Sequence, residues 1–134
     1  MLQVPMELKR IILNEISDQQ IIMLREVEGE RAFHIVIGMF EALSIERRVK
    51  GTQYPRPMTH DLVLSAIDLL GGELQDIYIN ELRDHTYFCQ LRVKKGGEIV
   101  EIDCRPSDAI PIAITANVPI YVSDEVIVEA SGEN

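Results

Sequence analysis

The sequence predicts an α+β fold: a mainly antiparallel sheet built from hairpins, with three helices inserted, in a single domain over residues 1–134. Three observations point there. Short apolar runs that alternate every second residue are joined by polar or glycine turns, which is the grammar of hairpins. Three longer segments repeat apolar residues every three to four positions and end at glycine or asparagine, as helices do. The strands come in groups and the helices singly or as a pair, so the regular alternation of a doubly wound α/β fold is absent.

The elements follow in order. Residues 6–16 alternate loosely through Met6, Leu8 and Ile11 and suit a first strand. Ile21–Leu24 and Ala32–Ile37 form two strands across the polar turn Glu28-Gly29-Glu30-Arg31, with His34 as a core or cross-strand residue. Met39, Ala42, Leu43, Glu46 and Val49 follow a helical period that Gly51 stops, with Glu46 and Lys50 as an i,i+4 pair. Pro55 and Pro57 make residues 52–58 a loop. Thr59 caps a helix that runs to Leu70, and its leucines, valine and isoleucine cover about half its circumference, so the helix is expected to be well buried.

A second hairpin follows. Leu74–Leu82 places Leu74, Asp76, Tyr78 and Asn80 on one face and Ile77 and Ile79 on the other, with the turn near Arg83-Asp84-His85. Tyr87, Cys89, Leu91 and Val93 share a face on the return, and Lys94-Lys95-Gly96-Gly97 turns into Glu98–Asp103. An Arg105-Pro106 corner opens a helix from Ser107 to Ala116, capped by left-handed Asn117. Val118–Val122 is a short final strand, edge-like because of Pro119, and suits self-association of copies; an acidic tail closes the chain at 124–134.

Apolar residues make up 46% of the chain and charged ones 26%, which is globular composition and excludes disorder. The net charge is −9; Asp124, Glu125, Glu129 and Glu133 lie in the tail, leaving 18 acidic against 13 basic residues in the body. That balance argues against a basic nucleic-acid binder, whose affinity comes from neutralising phosphates. Cys89 and Cys104 have no metal or redox spacing and read as small buried hydrophobes. No signal peptide precedes the first strand and no apolar run spans a bilayer, so a soluble, cytoplasmic protein without membrane partners is expected.

The chemistry-bearing residues gather where the chain turns into a helix, in Arg56-Pro57-Met58-Thr59-His60-Asp61 and Asp103-Cys104-Arg105-Pro106-Ser107-Asp108, with Glu41 in the first turn after Gly38. Unpaired N–H groups and the helix dipole make such ends anion sites, and equally places where an aspartate or serine simply caps. No nucleotide-binding glycine loop, nucleophile elbow or zinc motif is present. The carboxylates Glu41, Asp61, Asp103 and Asp108 are candidate ligands for Mg²⁺ or Mn²⁺, which take oxygen donors and assist phosphodiester cleavage. His60 is a candidate general acid or base. Arg56 and Arg105, with Thr59 and Ser107, are candidate phosphate contacts. The bland reading assigns every one of these groups to a cap or a local ion pair.

The chain resembles the bifunctional nuclease domain family of bacteria and plants. The likeness rests on Ile37-Gly38-Met39-Phe40-Glu41-Ala42, Arg56-Pro57-Met58-Thr59-His60-Asp61-Leu62, Leu70-Gly71, Ile102-Asp103-Cys104-Arg105-Pro106-Ser107-Asp108-Ala109-Ile110 and Pro119-Ile120-Tyr121-Val122. These blocks span a core from about residue 8 to about residue 128. Thr115 stands where the family pattern has an arginine. The resemblance implies a non-specific nuclease acting on DNA and RNA, and it strengthens the functional reading of Glu41, His60, Asp61, Asp103, Arg105 and Asp108, of which Glu41, His60, Asp61, Asp103 and Asp108 are the catalytic candidates. The alternative is a non-catalytic anion-binding or regulatory module that assembles as a homo-oligomer.

Overall fold

The structure is a computed structural model that describes residues 2–14 and 16–131. Its elements run β1 (Gln3–Ile12), β2 (Gln19–Glu26), β3 (Ala32–Gly38), α1 (Met39–Val49), α2 (Thr59–Leu69), β4 (Glu73–Arg83), β5 (Thr86–Lys95), β6 (Glu98–Cys104), α3 (Pro106–Ala116), β7 (Ile120–Ser123) and α4 (Asp124–Ala130). The strands form one sheet in the order β3-β2-β1-β7-β4-β5-β6, in which only β4 and β7 run parallel among the described pairings. The expected α+β class holds, with four helices where three were expected.

Turn chemistry sets the hairpins. Gly96 and Gly97 both have positive φ (59° and 81°) between the paired residues Lys95 and Glu98, the geometry a two-residue hairpin turn demands. Asp84 and His85 take left-handed φ (51° and 63°) at the β4–β5 turn. The β2–β3 turn is clamped by Arg31, whose backbone N–H and Nε both donate to Glu26 Oε1, while its Nη2 donates to Asp124 of α4 at 2.8 Å.

One sheet face carries the core: Val4 and Met6, Ile22 and Leu24, Phe33, Ile35 and Ile37, Ile77 and Ile79, Cys89, Leu91 and Val93, and Val122 are all buried. The sheet curls around this core. Tyr87 of β5 stacks on Phe33 of β3 at 5.7 Å and donates its hydroxyl to the His34 carbonyl, although four strands separate β3 from β5 in sheet order. Into the curl goes α3, with seven buried residues from Pro106 to Ala113; α1 and α2 flank it. His34 itself points to solvent.

Several expectations change. β1 begins at Gln3 and ends at Ile12, and Glu15, inside the expected 6–16 strand, lies outside the described residues. Its loose alternation comes from a bulge between Leu8 and Arg10. A second bulge between Leu74 and Asp76 returns buried Leu74 to the face of Ile77 and Ile79, opposite to the face its spacing implied. β7 is not an edge: it is central, between β1 and β4, and Pro119 is accommodated because it lies just before the strand, where its carbonyl accepts from Ile77 N–H. The acidic tail is a helix over Asp124–Ala130, with Val126 and Ile127 buried in the core; Glu133, with residues 132–134, lies outside the described residues.

α2 is the largest departure. Leu62, Leu69 and Leu70 are 63%, 82% and 73% exposed, and among its described residues only His60 is fully buried. α2 packs on α3 and β4 through partly buried Val63, Leu64 and Ile67, which leaves Leu62, Leu69 and Leu70 facing away from the core. Caps also shift. Met58 is the N-cap of α2 and Arg105 that of α3, so Thr59 opens its helix, and Ser107 and Asp108 are the second and third residues of theirs. Pro111 lies inside α3, while Asn117 takes the expected left-handed conformation.

Candidate functional site

The first turns of α1, α2 and α3 meet at one cavity of about 300 Å³, lined by Phe40, Glu41 and Ser44 of α1, Thr59, His60 and Val63 of α2, and Arg105, Ser107, Asp108, Pro111 and Ile112 at the start of α3. Glu41, Thr59, His60, Arg105, Ser107 and Asp108, chosen from sequence as three separate helix starts, therefore share one site. First-turn amides have no acceptor inside their own helix, so three positive helix ends face the same volume.

Arg105 organises the cavity mouth. Its Nε and Nη2 donate to Asp108 Oδ2 and Oδ1 at 2.9 and 3.1 Å, and Nη1 lies 3.7 Å from Glu41 Oε1. The guanidinium thus bridges two carboxylates from different helices, and the hydrogen bonds it donates to Asp108 raise its pKa further. Glu41 folds back over the N-cap of α1: a Cβ on Gly38 would lie 2.8 Å from Glu41 Oε2, so glycine leaves room for that carboxylate.

Behind the mouth, His60 is 8% exposed. Its Nε2 accepts from Arg48 Nη2 (2.7 Å) and Nε (3.1 Å), which leaves the proton on Nδ1, 3.5 Å from Ser44 Oγ. Burial and the Arg48 charge hold the imidazole below its usual pKa against the opposing pull of Asp61, so it is neutral at pH 7. In that tautomer His60 donates toward Ser44. The set Ser44, His60, Asp61 is no hydrolytic triad, because Asp61 bonds Arg48 and not the imidazole.

The remaining candidates lie apart. Asp61 accepts from Arg48 Nη2 (2.8 Å) and from the Met58 backbone N–H (2.9 Å), closing the N-terminus of α2. Burial raises its pKa, but the Met58 hydrogen bond and the Arg48 charge outweigh that and leave it below the usual carboxylate value. Arg56 lines a neighbouring recess with Asp61, Tyr54 and Ser65. Asp103 sits on β6 opposite Gln90 and is exposed, on the face opposite to that of Cys104 and buried Cys89.

The four carboxylates expected to share a metal ion are therefore distributed over three places. Among the described residues no three His, Cys, Asp or Glu side chains form a metal-holding group. Glu41 and Asp108 alone border the cavity. Ser44, Phe40 and Arg48 are not among the candidates singled out from the sequence. The signal was available for two of them: Glu41, Ser44 and Arg48 are spaced i, i+3, i+7 on one face of α1.

A family model described as the bifunctional nuclease domain matches residues 22–134, which include all three helix starts and every candidate residue. The chain belongs to the bifunctional nuclease domain family. It is 36% identical over 114 residues to an uncharacterized protein of Mycobacterium tuberculosis, covering 85% of this chain and 68% of that protein. It is 31% identical over 112 residues to bifunctional nuclease 2 of Oryza sativa subsp. japonica, and 30% over 92 residues to bifunctional nuclease 1 of Arabidopsis thaliana. The matches cover 81% and 66% of this chain but only 34% and 28% of those plant bifunctional nucleases. Membership supports nuclease-like function at the level of the family. Among the described residues no helix is long and apolar enough to cross a membrane.

Proposed function

We propose that this protein binds a phosphodiester of DNA or RNA in the cavity between α1, α2 and α3 and hydrolyses it. The observation that carries the reading is the convergence of three helix N-terminal turns and Arg105 on one cavity of about 300 Å³, the lower end of the size range for ligand pockets. Arg105 exchanges an Asp108 contact for a phosphate oxygen, and helix-end amides at Thr59 and Ser107 take others. Glu41 and Asp108 are the carboxylates at hand to receive a proton from attacking water. Neutral His60 holds Ser44 and is itself held by Arg48, which makes it a positioning group.

Mg²⁺ or Mn²⁺ belongs to the same proposal. Such ions commonly take one or two carboxylates, with waters and substrate phosphate completing the shell, and Glu41 and Asp108 are the pair that would hold one. Bound there, the ion would neutralise charge developing on the phosphoryl oxygens. Self-association is proposed through α2, where Leu62, Leu69 and Leu70 expose an apolar ridge; light scattering of L62E/L69E against wild type tests it, with a smaller species expected.

The deciding experiment is cleavage of labelled single-stranded RNA and DNA with Mg²⁺, Mn²⁺ or EDTA, beside Glu41→Gln and Arg105→Ala variants of matched thermal stability. Cleavage lost in both variants supports the site. Equal cleavage by all three proteins places the activity elsewhere. Binding without cleavage under any condition selects the non-catalytic module.

A further inference from the structure

We propose that Phe40 is a stacking platform for a nucleobase next to the bound phosphate, so that the cavity selects single-stranded over duplex nucleic acid. The inference rests on the phosphodiester reading above and deepens it.

Phe40 is 86% exposed, although it is the second residue of a helix whose other face is packed in the core. Every other aromatic residue of this chain is at least partly buried. Most of those rings are also engaged by a neighbour: Phe33 stacks with Tyr87, Arg83 lies over Phe88, and Arg92 lies over Tyr78 and Tyr121. Phe40 is the one aromatic residue left mostly exposed, and it lies at the rim of the cavity that Arg105 guards. Side chains in a helix lean toward its N-terminus, so the ring overhangs the cavity mouth.

The two groups at the rim suit two parts of one nucleotide. The Arg105 guanidinium is a planar donor fork for phosphate oxygens, with its side chain 66% exposed. The Phe40 ring offers a π-face to the adjoining base, a contact every base can make, which fits a nuclease without sequence preference. In a duplex both faces of each base are already covered by neighbours. A single strand leaves them free, and only that form gains from the ring.

The test uses the intact protein with a labelled oligouridylate, an oligothymidylate and a hairpin duplex, in EDTA so that no cleavage intervenes. Fluorescence anisotropy reads binding. Replacing the ring by Phe40→Ala should weaken single-strand binding roughly 5- to 100-fold and leave duplex binding unchanged. The chain contains no tryptophan, so Phe40→Trp gives a sole indole; it should retain affinity and be quenched by the single strands only. Arg105→Ala should abolish binding of both forms. Unchanged affinity in Phe40→Ala with no quenching in Phe40→Trp, while wild type binds and Arg105→Ala does not, overturns the stacking proposal and leaves the phosphodiester reading standing. An altered oligomeric state in Phe40→Ala with unchanged binding also overturns it, making Phe40 a subunit contact. Absence of nucleic-acid binding by wild type overturns both.

Discussion

Arg48 is the brace whose removal should be felt most widely. It sits behind the cavity, donating to His60 Nε2 at 2.7 and 3.1 Å and to Asp61 Oδ1 at 2.8 Å, so one guanidinium ties α1 to the first turn of α2. Arg48→Met keeps most of the aliphatic stem and removes all three bonds. Asp61 keeps its Met58 N–H bond and is partly solvated, so its loss is modest. His60 is left with a buried acceptor unpaired, which costs on the order of 1–3 kcal/mol. The expected total is about 2 kcal/mol, or a Tm lower by about 6 °C for a domain of this size. The electrostatic signature is more specific. Without the Arg48 charge the His60 pKa should rise toward its ordinary value, held back only by burial. Differential scanning calorimetry reads the first effect and NMR titration of the imidazole the second. A Tm within a degree of wild type, together with an unmoved His60 titration, would refute the bracing role.

Four further outcomes follow from the same geometry. Below pH 6.5 the unfolded chain takes up a proton that folded His60 refuses, so stability should fall as pH drops, by up to about 1.4 kcal/mol per pH unit, until His60 itself titrates in the fold. Asp61, depressed in the fold, adds a second loss below about pH 4, and urea melts from about pH 7 down to about pH 2.5 in wild type and His60→Asn separate the two. Gly38→Ala should cost no more than about 1 kcal/mol, because the new Cβ meets only the end of a flexible side chain, yet it displaces the Glu41 carboxylate and should depress cleavage far more than Tm. Cys89, whose thiol is pushed up by its Cys104 contact and by burial, should resist alkylation in the native state while half-buried Cys104 reacts first; mass spectrometry after brief iodoacetamide treatment decides the order. Binding of a short single strand through one guanidinium should show a log–log salt slope of about −0.7, and a slope of about −4 or steeper would place the contacts on a basic surface instead.

What the sequence revealed and what it hid have physical causes. Strand phases were readable wherever alternation ran unbroken, as from Tyr87 to Val93, because pleating leaves no choice of face. They failed at Leu74, where a bulge adds a residue without any marker in composition. α2 was misjudged because a helix buried along one face and one buried all round can carry similar apolar content. Asp124–Ala130 was mistaken for a tail because its acids lie in the first turn, and Val126-Ile127 is too short a buried pair to signal a helix. In the site, the motifs marked the helix starts, but only three-dimensional packing could tell that the Arg105 and His60 helices face each other while Asp103, two residues before Arg105, points to the other side of the sheet.

That last contrast bears on how an acidic chain could hold the phosphate proposed above. Cys104 ends β6 on the core face and Arg105 begins the cap of α3, so two residue steps carry the chain from Asp103 on the outer sheet face to the cavity. Acids elsewhere add to the net charge of −9 without entering the cavity, whose own charged groups are Arg105, Glu41 and Asp108. The helix ends contribute fixed partial positive charge that no residue count records. Glu41 and Asp108 lie against Arg105, and on the proposed reading a phosphate would take their place there. On that reading a ligand must out-compete the Asp108 carboxylate paired with Arg105 at 2.9 Å, which would favour phosphate over weaker anions.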